Sequence, residues 1–125
     1  MPRVELVFDA DCPNVSDVRT QLQRALADAD LPSSWSEWDR GDPTSPAYAM
    51  QYGSPTILVN GVDVAGTAPS DQADCCRIYH GGNGGFQGVP TVRVISAALS
   101  GTGNGWKRSF TLLPALGALL LPRVT

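Results

Sequence analysis

The apolar positions of the chain open on a period of two. Val4, Leu6 and Phe8 alternate with Arg3, Glu5 and Val7, the pattern of a strand with at least one buried face. From Pro13 the period lengthens, and Val15, Val18, Leu22, Ala25 or Leu26, and Ala29 recur at intervals of three and four around Asp17, Arg19, Gln23 and Arg24. That spacing predicts an amphipathic helix. After Pro32 the run "SSWSEWD" has strand propensity, and Trp35 and Trp38, three apart, must face opposite ways on it. Asp42 followed by Pro43, with a stop at Gly53, predicts a short helix or turn. "SPTILVNGVDVAG" is the clearest hairpin signal. Its β-rich runs Thr56–Val59 and Val62–Ala65 flank Asn60 and Gly61, the pair that best tolerates positive φ at both central positions of a two-residue turn. Ser70 reads as the cap of a helix over "APSDQADCCRIYH", the glycine-rich "HGGNGGFQG" as a flexible connector, and Pro90 as the start of another helix, "PTVRVISAAL".

Strand, helix, strand, helix, hairpin and further helices describe an α/β domain over residues 1–100. Beyond it "SGTGNGWKRSF" predicts a linker at 101–110, ahead of an apolar tail at 111–125. As a helix rising roughly 1.5 Å per residue, Thr111–Leu121 reaches about 16 Å, half of a hydrocarbon layer of about 30 Å. The tail is therefore either a helix docked on the domain or the opening of a truncated membrane segment. In the second case Lys107 and Arg108 would keep the domain on the cytoplasmic side.

Composition narrows the classes. With 125 residues, 42% hydrophobic and 17% charged, the chain suits one compact domain with a real core. A net charge of −3, with no cluster of Lys and Arg among aromatics, argues against nucleic acid as a partner. No charged leader precedes a long apolar run at the amino end, so no secretion signal is read. The 3 cysteines, at 12, 75 and 76, are too few and too oddly placed for a disulfide scaffold, and a reducing cytoplasm is expected. The glycine-rich loop lacks the Lys-Ser/Thr that would make it a phosphate cradle.

Cys12 lies where the first strand gives way to the first helix. A helix start offers unpaired backbone N–H groups and a partial positive charge, both of which favour thiolate over thiol. Asp9 and Asp11 flank it, either as solvated loop and capping residues or as proton donors. His80, four after Cys76, would stand one helical turn on, as a third metal ligand or as a stabiliser of helix-end carbonyls ahead of Gly81. The plainer alternative makes Cys12 a small buried residue and Ser54-Pro55 an ordinary trans turn.

Three short motifs carry a resemblance: "DADCPNV" closing the first strand, "GSPT" opening the hairpin, and "CRIY" after it. Over about residues 3–99 the chain resembles thioredoxin-like proteins, and more narrowly a small bacterial group of them associated with mercury resistance. The resemblance implies a thioredoxin-like sandwich, a central mixed sheet with flanking helices. It puts the nucleophilic thiol, Cys12, at the head of the first helix and faces it with a cis-proline, Pro55, whose preceding backbone would be open to a bound peptide or thiol adduct. Cys76 matches the cysteine of the group's "CRIY" helix, whereas Cys75 has no counterpart, and consecutive helical positions point about 100° apart.

The function implied is thiol-based binding and transfer of a thiophilic metal, mercuric ion foremost, in mercury detoxification. Cys12, Cys76 and Pro55 form the working set, and Cys12 and Cys76 hold the metal. No resident cofactor is required. The partners are the metal ion or a small thiol and a membrane mercuric transporter, whose membrane segment "LLPALGALLLPRVT" resembles. One departure limits redox chemistry: the position three after Cys12 is Val15, so a mixed disulfide at Cys12 needs a thiol from elsewhere for release. Two rival classes stay open. One is enzymatic, a thiol-disulfide oxidoreductase or an organomercurial (alkylmercury) lyase-like enzyme; the other is a noncatalytic interaction module with buried cysteines.

Overall fold

A computed structural model describes residues 2–73, 77–81 and 85–101. Strand β1 (Val4–Phe8) lies inside a four-stranded mixed sheet of order β2-β1-β3-β4. β2 (Ser36–Asp39) runs parallel to it, with Glu5 opposite Ser36 and Phe8 opposite Asp39. A parallel pair needs a crossover, and helix α1 (Val15–Asp28) provides it. β3 (Thr56–Val59) is antiparallel to β1, with Val4 opposite Val59 and Val7 opposite Thr56, and β4 (Val62–Asp63) completes the edge. The turn between β3 and β4 holds Asn60 at φ +52° and Gly61 at φ +82°, as the Asn-Gly pair predicts, and Asn60 Oδ1 also accepts from Arg3 N at 2.9 Å.

Alternation along β1 and β3 sorts the core into two layers. Val4, Leu6, Ile57 and Val59 face α1, which contributes Val18, Leu22, Ala25 and Leu26, and α2 (Val92–Leu99), which contributes Ile95 and Ala98. Each large side chain fully buried there contributes about 1.5–3 kcal/mol. The opposite face gathers Val7, Leu58, Ala49 and Tyr52, with Trp38 against them, beneath a 3-10 helix (Ala47–Gln51). Trp35 packs on the helical layer, so the two indoles do part to opposite faces. Glu5 also points into the second layer and is 2% exposed. Its carboxylate accepts from Trp38 Nε1 at 2.7 Å, from Tyr48 Oη, and from Arg3 Nε at 3.3 Å. Burial pushes its pKa up, but the bonds from Tyr48 and Trp38 and the charge of Arg3 outweigh this and hold it below the usual range.

Two sequence expectations need correction. The helix read over "APSDQADCCRIYH" is not formed among its described residues. Ser70 closes an isolated turn, its Oγ accepting from Gln72 N at 3.1 Å, and Tyr79–His80 is strand β5, paired with β6 (Phe86–Gln87) in a separate two-stranded sheet. Ile78 and Tyr79 favour extended backbone, and the glycine-rich stretch joins two strands of a hairpin, Gly81 N donating to Gly85 O at 2.7 Å. The short helix or turn expected from Asp42 and Pro43 is found as both: the Asp42 carboxylate accepts from Thr44 N and Oγ1 at 2.8 and 2.7 Å and makes a local turn, and the 3-10 helix follows from Ala47. The helix expected from Pro90 starts at Val92, capped by Thr91, whose Oγ1 accepts from Val94 N at 3.2 Å. The apolar tail lies outside the described residues. Among those described, no helix is long and apolar enough to cross a membrane.

Candidate functional site

After Phe8 the chain makes two tight turns before α1. Cys12 N donates to Asp9 O at 2.9 Å, and Cys12 O accepts from Val15 N at 3.5 Å. The helix therefore begins three residues beyond Cys12 and not at Pro13. Asn14 holds the cap position without a side-chain cap bond, and Gly88 presses on it: a Cβ at residue 88 would come within 2.2 Å of Asn14 Nδ2. The segment following β6 thus lies against the head of α1. Cys12 is a free thiol, 9% exposed, between the exposed Asp11 and Pro13. It is buried, as the plainer reading of the sequence has it, yet it belongs to neither core cluster.

The register of β1 and β3 carries this loop toward Pro55. With Val7 opposite Thr56, Asp9 falls opposite Ser54, and Asp9 N donates to Ser54 Oγ at 2.9 Å. The Ser54–Pro55 peptide bond is cis. Ser54 is 0% exposed and Pro55 is fully buried. Ser54 O accepts from Arg77 N at 2.9 Å, and Pro55 O accepts from Tyr79 Oη at 2.5 Å. The expectation of open backbone beside the proline is corrected here, because the chain satisfies both carbonyls itself.

Two arginines, neither singled out by the sequence, brace the site. Arg40, just past β2, donates its backbone N–H to Phe8 O at 2.7 Å, and its Nη1 pairs with Asp9 Oδ2 at 2.8 Å while Nη2 donates to Ala73 O at 2.9 Å. Asp9 is therefore committed to an ion pair and does not stand free as a proton donor; Asp11 is exposed. Arg77 Nη1 pairs with Asp63 Oδ2 at 2.7 Å and donates to Thr56 Oγ1 at 2.9 Å, and Nη2 donates to Thr67 Oγ1 at 3.1 Å. Its guanidinium lies 4.5 Å from the centroid of the Tyr79 ring. Burial drives the Tyr79 hydroxyl far above its ordinary pKa, against the pull of the Arg77 charge, which keeps it a donor to Pro55. A pocket of about 210 Å³ opens beside this wall, lined by Gln51, Tyr52, Gly53, Thr67, Gln72 and Arg77 among others.

Of the residues expected at the site, the structure links the Cys12 loop with the Ser54–Pro55 segment through Asp9. Cys75 and Cys76 lie outside the described residues. His80 stands in β5, so the helical turn that was to bring it over Cys76 does not exist. Among the described residues, no three His, Cys, Asp or Glu side chains converge as a metal site. Arg40 and Arg77 were missed because their partners lie far away in sequence, 31 residues for Asp9 to Arg40, and no local pattern encodes such a pair. Compared with protein-family models, curated proteins and solved structures, the chain matches none.

Proposed function

We propose that the chain is a thioredoxin-like thiol domain that takes up a thiophilic metal ion, mercuric ion foremost, on Cys12 and passes it on. The observation that carries this reading is the position of the free Cys12 thiol, in the turn between β1 and α1, outside both core clusters and tied through Asp9 to Ser54. The mixed four-stranded sheet and the helices packed on it support it, since a central mixed sheet with flanking helices is what the resemblance implies.

A soft thiolate selects soft cations. Mercuric ion arriving between two small thiolates exchanges one of them for Cys12: the Cys12 sulfur–mercury bond forms, one small-thiolate–mercury bond breaks, and the Cys12 proton leaves on the displaced thiol. No electrons are transferred, and the reverse exchange delivers the ion. Cys76 is the proposed second sulfur in that delivery. Arg40 holds the Asp9 carboxylate in an ion pair during the exchange, which takes that oxygen ligand out of competition with the sulfur.

Mercuric ion titrated into the protein in competition with glutathione tests the reading. Cys12→Ser is expected to weaken binding by at least about tenfold, or 1.4 kcal/mol. Unchanged affinity overturns the proposal. Catalytic turnover of a disulfide, or release of an aryl group from an organomercurial, would instead establish the enzymatic rival.

A further inference from the structure

We infer that Glu5 is an acid-released latch: as a carboxylate it fastens the 3-10 helix Ala47–Gln51 to the sheet through Tyr48, and on protonation it lets that helix go while the helical layer stays folded. The alternation of β1 turns Glu5 away from α1 and into the second layer, opposite Leu58, which is itself opposite Asp63. That layer is thin. Among the described residues it holds four buried apolar side chains, Val7, Ala49, Tyr52 and Leu58, against eleven on the helical side, so it can open locally at less cost than the whole domain. The 3-10 helix over it has five residues and no side-chain cap bond, too short to stand without its docking contacts. Those contacts are the burial of Ala49 and Tyr52, a bond from Ser70 N to Gln51 O at 2.8 Å, and the Tyr48 phenol on Glu5.

The bonding at Glu5 makes this docking depend on charge. Trp38 Nε1 and Tyr48 Oη both donate to Oε2, and Arg3 Nε donates to Oε1. Indole and guanidinium groups can only donate, so a proton added to this carboxyl meets donors at both oxygens and weakens the charge-assisted bonds that remain. The other charged or titratable groups facing the layer do not replace it. Arg3 is 67% exposed, and Asp63, from β4, is paired with Arg77. The Tyr52 hydroxyl has its pKa raised by burial and by the charges of Asp63 and Glu5, so it stays neutral. Asp71 reaches Gln51 Nε2 at 3.3 Å from the solvent side. Burial raises the pKa of Glu5, but the bonds from Tyr48 and Trp38 and the charge of Arg3 outweigh it. The latch is therefore closed above the ordinary value of 4.5 and opens as the pH falls through the folded one. The helix also walls two pockets, with Gln51 and Tyr52 on the one beside Arg77 and with Ala47 and Met50 on another of about 310 Å³ bordered by Arg40. Its release opens both.

The test follows amide hydrogen exchange by mass in the full chain, each rate divided by the intrinsic rate at the same pH, with the α1 amides as the reference for global unfolding. From about pH 6 to about pH 3 the protection of residues 49–52 is expected to fall at least about tenfold while that of α1 holds. In Glu5→Gln the same residues should be poorly protected at neutral pH, with no acid step. In Tyr48→Phe, which removes the phenol and keeps the ring, they should lose protection at neutral pH with α1 unchanged. Residues 49–52 staying protected until α1 opens overturns the inference. An acid step that persists in Glu5→Gln, or full protection of these residues in Tyr48→Phe, overturns it as well. If Glu5→Gln does not fold, shown by an unprotected α1, the acid step of the unaltered chain and the Tyr48→Phe result decide.

Discussion

Glu5 shows how one side chain can place an acidic limit on a fold. Its folded pKa is lowered, so its stabilisation is fully present above the unfolded value near 4.5 and is lost as the pH falls through the folded value. Glu5→Gln is expected to cost about 1–3 kcal/mol at neutral pH through its lost charge-assisted bonds. Urea unfolding of the two proteins should show that gap shrinking as the pH is taken from 7 towards 3. Glu37 is also held low, first by the two bonds from Arg19 and then by Trp35 Nε1 against the effect of burial. With side chains 44% and 29% exposed, however, that pair is screened, and Arg19→Ala should cost only about 0.2–1 kcal/mol in the same measurement. At this scale the cis bond before Pro55 stands where the local motif led one to expect it, while the burial of Cys12 fits the plainer of the two readings of that residue. The sequence was silent on Arg40 and Arg77, and on the ion pair that folding brings to the Asp9 carboxylate.

Elements whose signals are local were legible. The period of α1, the Asn-Gly turn and the alternation of β1 each follow from residues a few positions apart. Two substitutions probe them. Gly61→Ala puts a side chain at φ +82° with its Cβ 3.2 Å from Arg3 Nη2 and should cost about 1 kcal/mol or more. Gly88→Ala displaces only the free end of the Asn14 side chain and should cost under about 1 kcal/mol. Because the Asn14 side chain makes no cap bond, the pair Asn14→Ala with Gly88→Ala should recover most of that loss in thermal melts. Strand β5 was not legible because its conformation is set from outside: Arg77 N reaches Ser54 O, and Tyr79 reaches Pro55. Ser70 did carry capping chemistry, but it was used on a single turn.

For the whole molecule, the two sheets are joined by the ion pair of Asp63 and Arg77, from β4 to the lead-in of β5. Removing one partner strands the other, so Asp63→Ala should cost about 3–5 kcal/mol. The pair Asp63→Asn with Arg77→Gln should cost clearly less, a difference that chemical denaturation of the three variants reads directly. A mixed sheet of this kind, with a parallel β1–β2 pair on one side and antiparallel pairs from β1 through β3 to β4, could be guessed from the order of elements. The second hairpin could not, since the contacts that hold it are with Ser54, Pro55 and Asp63, well removed from it in sequence.

The two-sided arrangement of the sheet also gives the protein built-in optical labels. Trp35 Nε1 bonds Glu37 at 2.9 Å on the helical side, and Trp38 Nε1 bonds Glu5 at 2.7 Å on the other. In a Trp106→Phe background, replacing either indole with phenylalanine leaves fluorescence from one layer alone, and coincident emission changes during denaturation would mean that both halves of the core come apart in one step.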